Sequence, residues 1–216
     1  MALESLSPAA SKLLRYKVDH WAFLSECVWT LDQTDKYIPV KQYPAIDPSK
    51  KDYLKWISNV IVSEKLLALV KHRRMIITWT VCSLWLWDAM FMEGRFNVLL
   101  SKNEEDSDDL VKKCKFIYDN IPEAILPVKP IGEYKYTEFS FKEIDSRIKG
   151  FAMGTDRLRQ YTCSRIAADE IAFWQRAEEA FTSMKPTLEG GGQVILLSTR
   201  YPGFFQSLVL DKLEST

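Results

Sequence analysis

The sequence contains no Cys-x-x-Cys pair and no histidine cluster: Cys27, Cys82, Cys114 and Cys163 are scattered, and there are two histidines in 216 residues. That spacing excludes a zinc ribbon or a disulfide framework and fits reduced thiols in a cytosolic compartment. An excess of either charge is also missing, since Lys plus Arg and Asp plus Glu number 29 each. No global field then draws the chain onto nucleic acid or anionic lipid, so any such contact must be local or made through a partner. Long apolar runs are lacking too. The richest, Ile76 to Met92, is interrupted by Asp88, and the first fourteen residues hold no basic region followed by an apolar core. Neither a membrane span nor a signal peptide is expected.

What is present is enough for one substantial core. Hydrophobic residues make up 47% and aromatics 12%, including seven Trp, far from the depleted composition of a disordered chain. Apolar positions at helical spacing (Leu13, Leu14, Val18, Trp21, Leu24, Val28) predict one amphipathic helix within 8–31. A turn-rich stretch with Pro39, Pro44 and Pro48 follows, and Asp47-Pro48-Ser49 supplies start signals for a helix over 50–62. Residues 1–48 are therefore expected to be an N-terminal helical extension and 49–216 the core.

Within the core, 66–70 (LLALV) reads as a strand buried on both faces, 71–74 (KHRR) as a basic turn, 78–92 as a helix and 96–100 as a second buried strand. Five acidic residues between Glu104 and Asp109 open a helix running to about Asn120, ended by Pro122. The segment 133–148 holds a hairpin, with Gly150 and Gly154 in a following loop. Residues 164–168 form a weaker strand ending in Asp169-Glu170, then comes a helix, and a triple-glycine turn leads into 193–197 (QVILL), the clearest strand. Strands alternating with helices predict an α/β fold with a mostly parallel sheet.

Three constellations can carry chemistry. The basic turn lies between a strand and a helix N-terminus, where free N–H groups and the macrodipole attract anions. Against the pattern G-x-x-x-x-G-K-[ST], the octet 71–78 matches only at Thr78, and alone it equally fits a solvated charge cluster. Asp169-Glu170 at a strand end suits an Asp that holds Mg²⁺ beside a Glu that polarises water, or a surface pair. Ser198-Thr199 places two hydroxyls at the carboxyl end of a strand, where ligands of open α/β sheets bind. Their order along the chain is phosphate turn, carboxylate pair, polar strand end.

In that order the residues resemble the large-terminase family of tailed viruses. The stretch 71–79 (KHRRMIITW) is similar to the family's deviant phosphate loop, with its key basic residue at the start and a Ser/Thr before Trp. Asp52-Tyr53-Leu54 stands where an Asp-Tyr-Gln adenine motif occurs, 168–174 (ADEIAFW) looks like the Walker B segment, and 197–204 (LSTRYPGF) looks like the coupling motif. The resemblance implies a P-loop NTPase of the RecA-like, ASCE type that binds ATP and Mg²⁺ and hydrolyses ATP to package double-stranded DNA into a procapsid. It implies phosphate contacts from Lys71, Arg73 and Arg74, with Thr78 and Asp169 on Mg²⁺. Tyr53 would lie on the base, Glu170 would be the catalytic base, and Ser198 and Thr199 would couple the site to DNA. Arg159, with Arg157 second, would be a finger acting on the next subunit of a homo-oligomeric ring. The implied partners are the portal protein and the small terminase subunit, in the cytoplasm of the infected host cell. The family's nuclease half is expected to be missing before Thr216. Three departures stand out: the loop has no glycine, Ile76 and Ile77 taking the places of Gly and Lys; Leu54 replaces the adenine-binding Gln; and no lid segment is seen. The alternatives are a degenerate P-loop module that binds without hydrolysis and a helicase-like ATPase.

Overall fold

The computed structural model describes residues 7–32, 35–44, 53–72, 75–153, 158 and 160–214. Helices α1 (Pro8–Val18) and α2 (His20–Cys27) lead to a short antiparallel hairpin of β1 (Trp29–Leu31) and β2 (Val40–Gln42). Then come α3 (Tyr53–Ser63), β3 (Leu66–Val70), α4 (Ile77–Phe91), β4 (Phe96–Ser101) and α5 (Glu104–Asp119). Strands β5 (Glu133–Lys135), β6 (Glu138–Phe141), β7 (Ser146–Ala152) and β8 (Arg165–Asp169) follow, and α6 (Ala177–Glu189), β9 (Gln193–Ser198) and α7 (Phe204–Glu214) close the described chain.

The central sheet has seven strands in the order β3-β9-β8-β4-β7-β6-β5. The first five run parallel, and β6 and β5 extend the sheet antiparallel. This is the mostly parallel sheet flanked by helices that the alternation predicts. Side chains alternate between two cores as the period of a strand requires. Leu99, Ile148, Ala167, Ile195 and Leu197 pack on one face with α1 to α5. Val98, Leu100, Ile166, Val194 and Leu196 pack on the other with α6 and α7. The N-terminal helices share the first core through Tyr16, Phe23, Leu24 and Cys27, all buried.

Four expectations are corrected. The single helix over 8–31 is two helices and a strand, because the Asp19 carboxylate accepts from the backbone N–H of Trp21 and Ala22 and starts a new helix there. The turn-rich stretch contains β2. The run 66–70 is an edge strand, only partly buried with Val70 exposed, because among the described residues it has a neighbour on one side alone. Gly150 lies inside β7, opposite Leu99. A Cβ there would stand 2.8 Å from the Ser107 carbonyl oxygen of α5, so this glycine is what lets α5 close on the sheet. Gly154 lies outside the described residues.

Candidate functional site

Because β9 lies between β3 and β8, the turn after β3 and the carboxylate pair ending β8 face each other across the end of one strand. Lys71 begins that turn, and its backbone N–H donates to the Ser198 carbonyl at 2.9 Å. Its ammonium donates to Asp169 Oδ1 at 2.6 Å and to Thr78 Oγ1 at 2.8 Å, and lies 3.3 Å from Glu170 Oε1. The Thr78 hydroxyl is in turn 3.2 Å from Asp169 Oδ2. Four groups spread over 100 residues of sequence thus meet at one point, with Lys71 9% and Asp169 14% exposed.

Thr78 is delivered by the first turn of α4. That helix begins at Ile76, which has φ 63° and ψ 8° and no side-chain cap. A β-branched residue in the left-handed region costs on the order of 1–3 kcal/mol, a strain found where the surroundings fix the backbone for function. Ile76 therefore holds a conformation that glycine would adopt without strain, and the first turn of α4, which lines the cleft, has no side-chain cap. Tyr53 supports the turn from behind: its hydroxyl donates to the Met75 carbonyl at 2.9 Å. Burial pushes the Tyr53 phenol up from its usual value.

Glu170 is also left-handed, with φ 53°, ahead of a 3-10 turn over Ile171–Phe173. The bend turns its carboxylate toward the end of β9. There Oε2 accepts from Ser198 Oγ at 3.3 Å, from the Thr199 N–H at 3.3 Å and from Thr199 Oγ1 at 3.4 Å. Buried Ser198 also accepts from the Ala172 N–H at 3.2 Å. One residue of β9 is thereby bonded to the start of the basic turn and to both sides of the Glu170 bend.

A cleft of about 840 Å³ opens over this cluster. Lys71, Thr78, Asp169, Glu170 and Thr199 form its floor, and Thr30 and Gln42 of the β1–β2 hairpin, with Pro44 just after it, form part of the wall. Tyr53 is not among the lining side chains. Arg73, Arg74, Arg157, Arg159 and Asp52 lie outside the described residues. The structure thus brings together Lys71, Thr78, Asp169, Glu170, Ser198 and Thr199, and adds the hairpin wall. Three-residue strands are too short for an alternation to be read, so that wall left no signal in the sequence.

The donor set suits a hard cation. Among the described residues no group of three or more His, Cys, Asp or Glu gathers. A hydroxyl and a carboxylate, as Thr78 and Asp169 present here, are oxygen donors of the kind that Mg²⁺ takes together with phosphates. In the structure both side chains are bonded to the Lys71 ammonium.

No family model matches the sequence, and no curated protein matches it. The fold does match solved structures. With the large-terminase ATPase domain of Thermus phage P74-26 the chain shares 12% identity at a TM-score of 0.53, over 71% of this chain and 68% of that one. With the HK97 bacteriophage large terminase the values are 13% and 0.66, over 92% and 41%. With the large terminase of a thermophilic bacteriophage in complex with ADP they are 12% and 0.51, over 94% and 42%. The chain spans about two fifths of the length of the latter two. Its fold is similar to that of these large-terminase ATPase structures.

Proposed function

We propose that this chain is the ATP-hydrolysing motor domain of a viral large terminase, which drives double-stranded DNA into a procapsid. The observation that carries this reading is the meeting of Lys71, Thr78, Asp169 and Glu170 beneath one cleft. Lys71, with Arg73 and Arg74, binds the β- and γ-phosphates, and the uncapped first turn of α4 adds N–H donors and the positive end of its macrodipole. Thr78 and Asp169 hold Mg²⁺, which neutralises phosphate charge when bound. Glu170 orients the attacking water and takes its proton. Tyr53 serves nucleotide binding by anchoring the turn through Met75, and the base lies toward the hairpin wall. Ser198 and Thr199, bonded to Glu170, pass the state of the site to the DNA-gripping surface.

The chain works in a homo-oligomeric ring in which Arg159, or Arg157 beside it, reaches the nucleotide of the next subunit. Its partners are double-stranded DNA, the portal protein and the small terminase subunit, and it acts in the cytoplasm of the infected host cell. Among the described residues no helix is long and apolar enough to cross a membrane. The test is ATP binding and turnover, measured on the chain alone and then with DNA and its packaging partners. Turnover that rises on assembly is the expected result. Binding without turnover in both states would instead favour a P-loop module that does not hydrolyse.

A further inference from the structure

We infer that Lys113 is a further catalytic residue of this site, contacting the terminal phosphate of a bound nucleoside triphosphate from within the same chain. The inference rests on the nucleotide reading above. A second cavity, of about 490 Å³, adjoins the cleft. Asp169, Glu170, Thr199 and Lys113 line both, so Lys113 borders the two spaces that meet at the carboxylate pair.

The face of α5 that lines the second cavity carries Asp106, Asp109, Leu110 and Lys113, the i, i+3, i+4, i+7 set of one helix side. That helix is held in place from three directions. Asp108, 1% exposed, accepts from Tyr134 Oη and from the Thr137 N–H, both at 2.7 Å. Gly150 admits the backbone of Ser107 against β7. Cys82 and Cys114 close the contact with α4, each donating its thiol to a backbone carbonyl of the other helix.

Apart from Lys71, the other lysines around these cavities are already paired with carboxylates: Lys41 with Asp32 and Asp35, and Lys102 with Asp106. On α5 itself Lys112 pairs with Asp108 and Asp109, and Lys115 pairs with Asp119. Lys113 has no carboxylate partner among the described residues; its ammonium reaches only the Asp109 carbonyl, at 3.4 Å. It is a half-buried cation on the rim of a phosphate site. Its charge is free to move onto a ligand without breaking an ion pair. A terminal phosphate beside Glu170 would occupy the space that Lys113 and Glu170 both line, and charge there grows in the transition state for transfer to water.

The experiment is calorimetric titration of the folded chain with Mg²⁺ and either a non-hydrolysable ATP analogue or ADP, for wild type, Lys113→Met and Lys113→Arg. Lys113→Met is expected to weaken the triphosphate by about tenfold and leave ADP unchanged, with Lys113→Arg restoring most of the preference. Equal weakening of both nucleotides, or no change in either, would overturn the assignment and leave the nucleotide reading intact. A wild-type chain that binds neither nucleotide would contradict that reading, and this assignment with it.

Discussion

The Lys71 ammonium lies 2.6 Å from Asp169 Oδ1, although β3, which Lys71 follows, and β8, which Asp169 ends, are separated in the sheet by β9. The pair is largely shielded, and Glu170 stands 3.3 Å from the same nitrogen. Lys71→Met would leave two neighbouring carboxylates without their cation. A loss of about 3 kcal/mol in unfolding free energy follows from removing one partner of a buried pair. Lys71→Met combined with Asp169→Asn recovers more than half of it in a chemical-denaturation double-mutant cycle. Strictly additive effects would show that the two groups do not interact in solution.

Ile76 and Ile77 are adjacent and chemically identical, yet glycine has different consequences at each. At Ile76, release from the left-handed region offsets the lost side chain and the added backbone entropy, so Ile76→Gly changes stability by less than about 1 kcal/mol. Ile77 is 4% exposed inside the first turn of α4, and Ile77→Gly there costs about 4 kcal/mol from its cavity and helix propensity. Thermal unfolding of the two variants distinguishes the sites. Equal losses would mean that Ile76 is not strained.

Much of the fold was legible in the sequence, and the reason is periodicity. β4 and β9 are fully buried central strands, so their sequences are mostly apolar on both faces, and α5 announces itself through the acids of its first turn. The hairpin β1–β2, the edge position of β3 and the helix α7 were not legible. Strands of three residues carry no period, and an edge strand looks like a central one until its neighbours are known. The site was read as an order of motifs, Lys71 to Thr78, Asp169-Glu170, Ser198-Thr199. What sequence could not supply was the bonding of Ser198 to both other motifs, since that depends on β9 threading between β3 and β8. Lys113 left no mark, being one of three lysines within four residues of α5 and distinguished only by having no carboxylate partner among the described residues.

Gly150 sets how closely α5 approaches β7. A methyl group would meet the Ser107 carbonyl oxygen at 2.8 Å, a backbone atom that cannot swing aside. Gly150→Ala is therefore expected to lower stability by about 1–3 kcal/mol, the usual cost of overpacking. Denaturant titration checks this, and an unchanged midpoint would mean that α5 is not held at that distance.

His20 lies edge-on to Trp87, with its Nε2 buried and lacking a hydrogen-bond partner among the described residues. Burial lowers its pKa below the usual 6.5, so folding favours the neutral ring. Its contribution to stability is fully present above that ordinary value and is lost as pH falls from there through the folded-state pKa. His20→Phe removes this contribution, and the variant should lose less stability between pH 7.5 and 5 than wild type does. Parallel slopes in urea unfolding at the two pH values would contradict the account of His20.

The central claim is that Glu170 activates water for ATP hydrolysis in a cleft where Lys71, Thr78 and Asp169 hold the nucleotide. Its most direct test is steady-state ATP turnover and ATP affinity of Glu170→Gln, measured with DNA and the packaging partners present. The glutamine keeps the size and can still meet Ser198 and Thr199, but it cannot accept the proton. Turnover should fall by at least about 100-fold while ATP affinity stays within about threefold of wild type. Turnover equal to that of wild type would contradict it.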